Sequence, residues 1–216
     1  MRLWLPILML LPTLLAEADS HADKLVLAGV QEFNAAYQSW DGTRFVAAAD
    51  LFRRASTNNP GSCVSFYWLG VAEFHCMLHA RSLPSTHANR QVAAAAMEGA
   101  LNALNIAVRL DDRHAESHAL LGTIYGMKIE GSVFRAVRFG PRIQAHSRKA
   151  LANGSENPRV RYLLGTCQLH TAKSASARRE ALATLLEAEK LFESESRRPG
   201  GPSEPQAPPE GQPPSS

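Results

Sequence analysis

The sequence contains none of the short motifs that mark the common enzyme classes. A GxSxG nucleophile turn, a phosphate-binding glycine loop and a dinucleotide-binding fingerprint are all absent from its 216 residues. The cysteine, histidine and aspartate side chains are scattered, with no recognisable setting for a catalytic nucleophile. We therefore predict that the protein is not an enzyme, and we expect no cofactor.

Cysteine is scarce, and none of the three cysteines belongs to a CxxC pair, so a redox role has little support. If Cys63 and Cys76 share a helix, they lie about 20 Å apart, which is too far for a disulfide. An odd count leaves at least one thiol unpaired within the chain. A bridge between Cys76 and Cys167 stays open, but we favour three buried free thiols.

The chain also has little excess charge of either sign. Its 23 basic and 20 acidic residues give a formal net charge of +3. Domains that bind nucleic acid usually show a much stronger basic bias. We therefore expect no nucleic-acid partner, and an export signal would point the same way.

The two ends of the chain differ in composition from the middle. Residues 3–15 form an apolar run that is followed by Ala16-Glu17-Ala18, the pattern of a signal peptide cleaved after Ala18. A retained membrane anchor is the alternative, but the run is shorter than the roughly 20 residues that span a bilayer. Residues 197–216 are rich in Pro, Gly and Ser, which predicts a disordered tail. We expect a periplasmic or secreted protein with signal peptide 1–18, helical domain 19–196 and tail 197–216, without an integral membrane segment after cleavage.

The middle of the chain repeats a skeleton of small and apolar residues, and its richness in Ala, Leu, Glu and Arg favours helices. The copies are Ala48, Phe52, Ala55, Pro60, Phe66, Leu69, Gly70; Ala100, Leu104, Ala107, Asp112, His118, Leu121, Gly122, Tyr125; Ala150, Arg161, Leu164, Gly165; and Ala181, Leu185, Ala188. The step from the alanine to the glycine is 15 residues in each of the three copies that have both, from Ala55, Ala107 and Ala150. A constant step predicts a constant junction between stacked helical hairpins.

These residues resemble the tetratricopeptide (TPR) repeat, whose pattern is Trp-x2-Leu-Gly-x2-Tyr, then Ala-x3-Phe, then Pro. The matching positions are Leu121, Gly122 and Tyr125 for the first half, and Ala48, Phe52 and Pro60 for the second. The resemblance covers roughly residues 25 to 193 and implies an all-α solenoid of about four helical hairpins. It also implies a non-enzymatic scaffold that binds a protein or peptide partner, in an envelope complex if the chain is exported.

The spacing between copies departs from the 34-residue period of that family. Gly70 and Gly122 are 52 residues apart, and Gly122 and Gly165 are 43 apart. Because the junctions are constant, the extra residues must lie inside the hairpins, near residues 80–90 and 128–142. We expect helices near 23–40, 43–57, 63–80, 88–110, 114–128, 143–153, 158–171 and 176–194, with long loops at the two insertions and Ser62 as an N-cap.

The first helix of each hairpin would line a concave groove, as the resemblance implies. The stripe of each such helix that the Leu-Gly signature leaves unused is rich in aromatic side chains with polar tips, which suit peptide contacts. The basic segment 128–149 adds cations that could dock an acidic protein or an anionic lipid headgroup. The simpler interpretations are core packing for the aromatic stripe and a solvated loop for the basic segment. The predicted partner-binding residues are Tyr37, Trp40, Tyr67, Phe74, His75, Met127, Tyr162, His170, Arg135 and Arg138.

Two histidine pairs have the spacing of metal ligands on a helix. His75 and His79 are four residues apart, as are His114 and His118. Neither pair has an obvious third ligand, so we expect ordinary packing and no metal. An accessory ligand-binding component of a solute transport system is the alternative to a scaffold.

Overall fold

The computed structural model describes residues 7–129 and 132–197, and within these ranges the chain forms eight α-helices. They are α1 (Ile7–Ser39), α2 (Gly42–Asn58), α3 (Cys63–Ser82), α4 (His87–Leu110), α5 (Ala115–Ile129), α6 (Val133–Gly154), α7 (Pro158–Thr171) and α8 (Ala175–Ser196). The predicted all-α class is confirmed. None of these helices combines the length and apolar character needed to cross a membrane. Residues 1–6 of the predicted signal peptide and residues 198–216 of the predicted tail lie outside the described residues. Cleavage after Ala18 stays a prediction.

Consecutive helices pair into four hairpins in this part of the chain: α1 with α2, α3 with α4, α5 with α6, and α7 with α8. The described turns inside the hairpins are short, at residues 40–41, 83–86 and 172–174, and α6 begins four residues after the end of α5. Short connections make the paired helices antiparallel, so stacked hairpins carry these turns along one side. We call this side the turn edge.

Polar side chains start most of these helices. The Ser62 hydroxyl accepts a hydrogen bond from the Ser65 amide at 3.2 Å, which confirms the predicted N-cap of α3. The amide oxygen of Asn157 caps α7, whose first residue is Pro158. Such caps satisfy backbone N–H groups that have no partner within the helix.

The repeated alanines are buried between the packed helices. Ala48, Ala55, Ala100, Ala107, Ala150 and Ala181 are 0% exposed and Ala188 is 1% exposed. A methyl group lets two helix backbones approach closely, which explains why the spacing of small residues is constant. The hairpin stack inferred from the repeat is therefore confirmed.

The two predicted insertions are helical rather than loops, which corrects the sequence-based expectation. The first is absorbed by longer α3 and α4, which leave only residues 83–86 between them. The second becomes the beginning of α6, which starts at Val133 instead of near residue 143 and contains Pro141. Ser132 caps this helix, and the ring of Phe139 stacks on Tyr125 with centroids 5.7 Å apart. This packing outweighs the helix-breaking tendency of Gly140-Pro141.

The core is unevenly distributed along the stack. One large cluster of buried apolar side chains draws its members from α1 to α6, including Phe45, Phe52, Met77 and Leu104. The last hairpin contributes instead to a small cluster of Ala119, Ala150, Val160 and Leu164. In α8 the buried side chains are Ala181 and Ala188.

Candidate functional site

A pocket of about 600 Å³ opens at the turn edge between the second and third hairpins. The ends of α3 and α5 and the beginnings of α4 and α6 supply its walls. Its size is within the range typical of ligand-binding pockets. We call it the basic pocket, after the basic side chains that line it.

The inner wall of the basic pocket is apolar. Ala93, Met97 and Phe139 are buried side chains that line it. Leu83, in the turn between α3 and α4, is 41% exposed and forms part of the opening. An apolar group that enters the pocket would therefore replace water against carbon atoms, which is favourable.

Much of the remaining lining is cationic. Five basic side chains take part, namely Arg81, Arg90, Lys128, Arg135 and Arg138. The Arg90 guanidinium donates a hydrogen bond to the Ser85 backbone oxygen at 2.7 Å, which holds it beside the turn. Lys128 pairs with the exposed Glu98 carboxylate. The charged groups of Lys128 and Arg138 lie 5.9 and 5.5 Å from the centroid of the Phe139 ring, within cation–π range.

This combination suits the binding of an anionic ligand. Cations at the rim attract an anionic group, and the apolar wall accepts its hydrocarbon part. The other polar side chains of the lining are Ser85 and Asn89, and the Asn89 amide donates to the Pro84 backbone oxygen at 2.8 Å. The pocket therefore fits an anionic ligand that also carries apolar groups.

The predicted partner-binding residues fall into three separate regions. Arg135 and Arg138 line the basic pocket, and Met127 is half-buried near the end of α5. Tyr162 and His170 are exposed on α7, where Tyr162 lines a shallow hollow with Phe192 of α8. The third group, described next, belongs to the first two hairpins: Tyr37, Trp40, Tyr67, Phe74 and His75.

Most of the third group joins a cluster of aromatic rings centred on His75. The His75 ring centroid lies 4.8 Å from Phe33, 5.5 Å from Phe45 and 5.7 Å from Tyr37. Its Nδ1–H donates to the Val71 backbone oxygen at 2.8 Å, and burial lowers the pKa of the imidazole. His75 is thus a neutral packing residue at neutral pH. Phe74 is also buried, so it supports this surface from behind rather than lining it.

Tyr37 and Trp40 form the solvent-facing side of that cluster. They are 59% and 41% exposed, and their ring centroids are 6.4 Å apart. The Trp40 indole N–H donates to the Ser82 hydroxyl at 3.3 Å, which joins the turns of the first two hairpins. A second hollow of about 740 Å³ lies between Trp40 and Leu83 and shares Ala80, Leu83 and Asn89 with the basic pocket. The two cavities therefore follow each other along the turn edge.

Tyr67 has a different position, because it links hairpins. Its half-buried hydroxyl donates to one carboxylate oxygen of Glu116. The other oxygen of Glu116 accepts from the side-chain amide of Asn157 at 2.8 Å. Burial, followed by the nearby negative charge of Glu116, raises the pKa of Tyr67 well above its usual value. One carboxylate thus connects α3, α5 and the cap of α7.

The histidines are arranged differently from the pairs that the sequence offered. The His118 and His146 rings contact each other, with their Nδ1 atoms 2.8 Å apart. His118 Nε2–H donates to the Asp112 backbone oxygen at 3.0 Å, so its Nδ1 accepts from His146. Burial lowers the pKa of both rings, that of His146 to about 4, and repulsion by the neighbouring His118 lowers the pKa of His146 further. Within the described ranges, no three His, Cys, Asp or Glu side chains are grouped so that they could hold a metal ion.

The cysteines are free thiols, as favoured from the sequence. Cys76 and Cys167 are buried and Cys63 is half-buried. Burial raises the pKa of Cys63 and Cys167 to about 11 and that of Cys76 to about 12. These thiols are therefore poor nucleophiles at neutral pH.

No family model matches the chain, and comparison with curated proteins gives no significant match. Solved structures do match, among them a TPR protein and MamA. The thermophilic TPR protein TTC0263 of Thermus thermophilus is 19% identical, with 79% of this chain and 98% of that chain covered and a TM-score of 0.32. Two crystal structures of MamA are 15% and 13% identical, cover 72% and 86% of this chain and 93% and 100% of those chains, and have TM-scores of 0.32 and 0.33. At these values the matches decide nothing about function, and the fold class rests on the hairpins themselves.

Proposed function

We propose that the protein is a non-enzymatic interaction scaffold that holds an acidic, partly apolar segment of a protein partner at its turn edge. The observation that carries this proposal is the basic pocket, in which five cations surround a wall of Ala93, Met97 and Phe139. The sequence predicted binding in a concave groove. We place the binding site at the turn edge instead, because three of the predicted residues that are exposed, Trp40, Arg135 and Arg138, lie there.

An extended segment suits the site better than a compact ligand. The basic pocket and the hollow beside Trp40 share part of their walls, so a single peptide can occupy both. Carboxylates of the peptide would contact the arginines, and an apolar side chain would enter between Leu83 and Phe139. Few buried anchors usually carry most of the affinity of such an interface.

Site-specific photo-crosslinking tests this proposal. A photoreactive phenylalanine analogue replaces Ala94, an exposed residue of the pocket wall, in the full-length protein expressed in its own cells. The matched control places the same analogue at the exposed Ala183 of α8, and a third variant places it at Tyr162. We expect a defined protein adduct from position 94 and none from position 183.

A second pair of variants tests the recognised chemistry. Arg90→Gln with Arg138→Gln removes two cations of the pocket, and we expect the adduct from position 94 to decrease roughly tenfold, since exposed ion pairs contribute up to about 1 kcal/mol each. Arg178→Gln with Arg179→Gln on α8 is the matched control. An adduct from Tyr162 alone would move the binding site to the α7 surface, and an adduct insensitive to the arginines would reject acidic recognition.

We further propose that the protein works outside the cytoplasm, as the sequence of residues 1–18 suggests. Mass spectrometry of the protein isolated from its own cells should show a mature chain that begins at Asp19. A chain that retains residues 1–18 would contradict export through a cleaved signal peptide. The second candidate function, binding of a small anionic solute for a transport system, is favoured by the 600 Å³ volume of the pocket; a bound small molecule in a native mass spectrum would support it.

A further inference from the structure

The outward face of α6 carries an apolar stripe that nothing in the described part of the chain covers. Val133, Phe134 and Val137 are 68%, 90% and 73% exposed. At 100° per residue these three side chains share the side of α6 opposite to Phe139 and Ala150, which are buried. The helix is therefore apolar on two opposite sides, and only one of them faces the core.

Cations lie beside this second apolar stripe. Arg148 is exposed on the same side of α6 as the stripe, and Arg138 is exposed at its margin. The exposed Arg142 lies nearer the core-facing side, where its guanidinium is 5.5 Å from the centroid of the Tyr125 ring. Residues 132–155 contain five basic residues and no carboxylate, although the whole chain has a net charge of only +3. The positive charge of the protein is thus concentrated on this one helix.

We propose that this outer face of α6 docks the protein on the surface of an anionic lipid membrane. Helices that lie in the membrane interface combine an apolar side containing Phe or Leu with flanking Lys and Arg side chains. The cations would meet lipid headgroups while Val133, Phe134 and Val137 enter the boundary of the acyl region. This inference does not depend on the proposed protein partner, because these apolar residues, Arg142 and Arg148 lie outside the lining of the basic pocket.

The shape of the surface favours a membrane over a protein groove. Phe134 projects from the first turn of α6 at an exposure of 90%, with no wall beside it. An apolar ring that projects without walls can enter a fluid interface, whereas a protein partner would need a matched depression for it.

Vesicle binding by the full-length protein tests the proposal. The probes are vesicles of phosphatidylcholine alone and vesicles containing 30% phosphatidylglycerol. We expect binding to the anionic vesicles, and we expect it to weaken as salt is raised because salt screens the headgroup charge. Arg148→Gln should weaken binding roughly fivefold, since each cation near such a surface contributes about a factor of five. Phe134→Ser with Val137→Ser should weaken it about tenfold.

Matched controls on α8 separate this face from general surface effects. Arg178→Gln with Arg179→Gln removes two exposed cations, and Leu182→Ser with Leu186→Ser removes two exposed apolar side chains. Both should bind as the wild type does. All variants keep residues 3–15, so the apolar N-terminal run contributes equally to each of them.

A local readout ensures that the N-terminal run does not hide the result. Hydrogen exchange of the full chain should show protection of residues 133–142 on anionic vesicles and not on neutral ones. Vesicle-bound protein without protection there would overturn the proposal, as would α6 variants that bind as tightly as the wild type. Dimers in sedimentation velocity that Phe134→Ser dissociates would assign the face to a second copy of the chain instead.

Discussion

Two glycines of the repeated Leu-Gly step occupy unequal spaces, so the same substitution should have opposite effects at Gly70 and Gly122. A Cβ atom added at Gly70 would lie 2.5 Å from Leu104 Cγ and 2.8 Å from its Cδ2. Leu104 is 0% exposed, so it has little room to move away. A Cβ added at Gly122 would meet the Ser147 hydroxyl at 3.6 Å, an ordinary contact distance.

The expected difference in the free energy of unfolding follows from two effects. The gain in helix propensity is equal at the two positions, so it cancels in the comparison, and overpacking occurs at Gly70 alone. Replacing glycine by alanine inside a helix stabilises it by about 1 kcal/mol at either position. Overpacking a core costs about 1–3 kcal/mol, and this applies only at Gly70. Gly122→Ala should therefore raise the free energy of unfolding by about 1 kcal/mol, and Gly70→Ala should lower it by about 1 kcal/mol.

Urea unfolding followed by circular dichroism measures the difference directly. With a slope of about 2 kcal/mol per molar urea, the two midpoints should differ by about 1 M. In a Leu104→Ala background the clash is absent, so the two alanine substitutions should then have similar effects. A Gly70→Ala midpoint equal to or above that of Gly122→Ala would refute the reasoning.

Two further predictions concern titrating side chains. Burial lowers the pKa of His146 to about 4. Between pH 6.5 and 4 the unfolded chain therefore takes up a proton at this ring that the folded chain does not. The free energy of unfolding should fall by about 1–2 kcal/mol over this range, which is less than the full pKa shift implies because the ring is partly solvated. His146→Gln should remove much of this loss, and an equal loss of stability in the wild type and in His146→Gln would contradict the prediction. The raised pKa values of the thiols predict that labelling by a disulfide reagent at pH 8 is roughly a hundredfold slower in the folded protein than in guanidinium, and equal rates would show that the thiols are accessible. The thiols concerned are Cys63, Cys76 and Cys167.

The fold was largely predictable because its strongest constraint is local in sequence. The alanine positions were found from spacing alone, and they are the residues with almost no exposure. The predicted beginning of α6, near residue 143, was wrong because Gly140-Pro141 is a helix-breaking signal. The contact that outweighs it joins Phe139 to Tyr125, which are on different helices, and a single sequence does not show that contact.

The candidate site was less predictable, because it forms between hairpins. The run of basic residues identified Arg135 and Arg138, but Arg90 and Met97 come from another hairpin and have no distinctive sequence context. Their proximity depends on how the second and third hairpins pack. Tyr67 shows the same limit: its spacing marked it as a groove residue, while its hydroxyl contacts Glu116 of the next hairpin.

The uneven distribution of the core affects how the chain is made and how it opens. The buried side chains of the large apolar cluster all come from α1 to α6, so these helices can pack while the last hairpin is still being synthesised, since translation is slower than helix pairing. In the finished protein the small cluster around Val160 and Leu164 is the weaker attachment, and local opening begins where the fewest apolar contacts are buried. A protease that acts on transiently opened chain should therefore cut first within α7 and α8, leaving a resistant fragment that ends near residue 154.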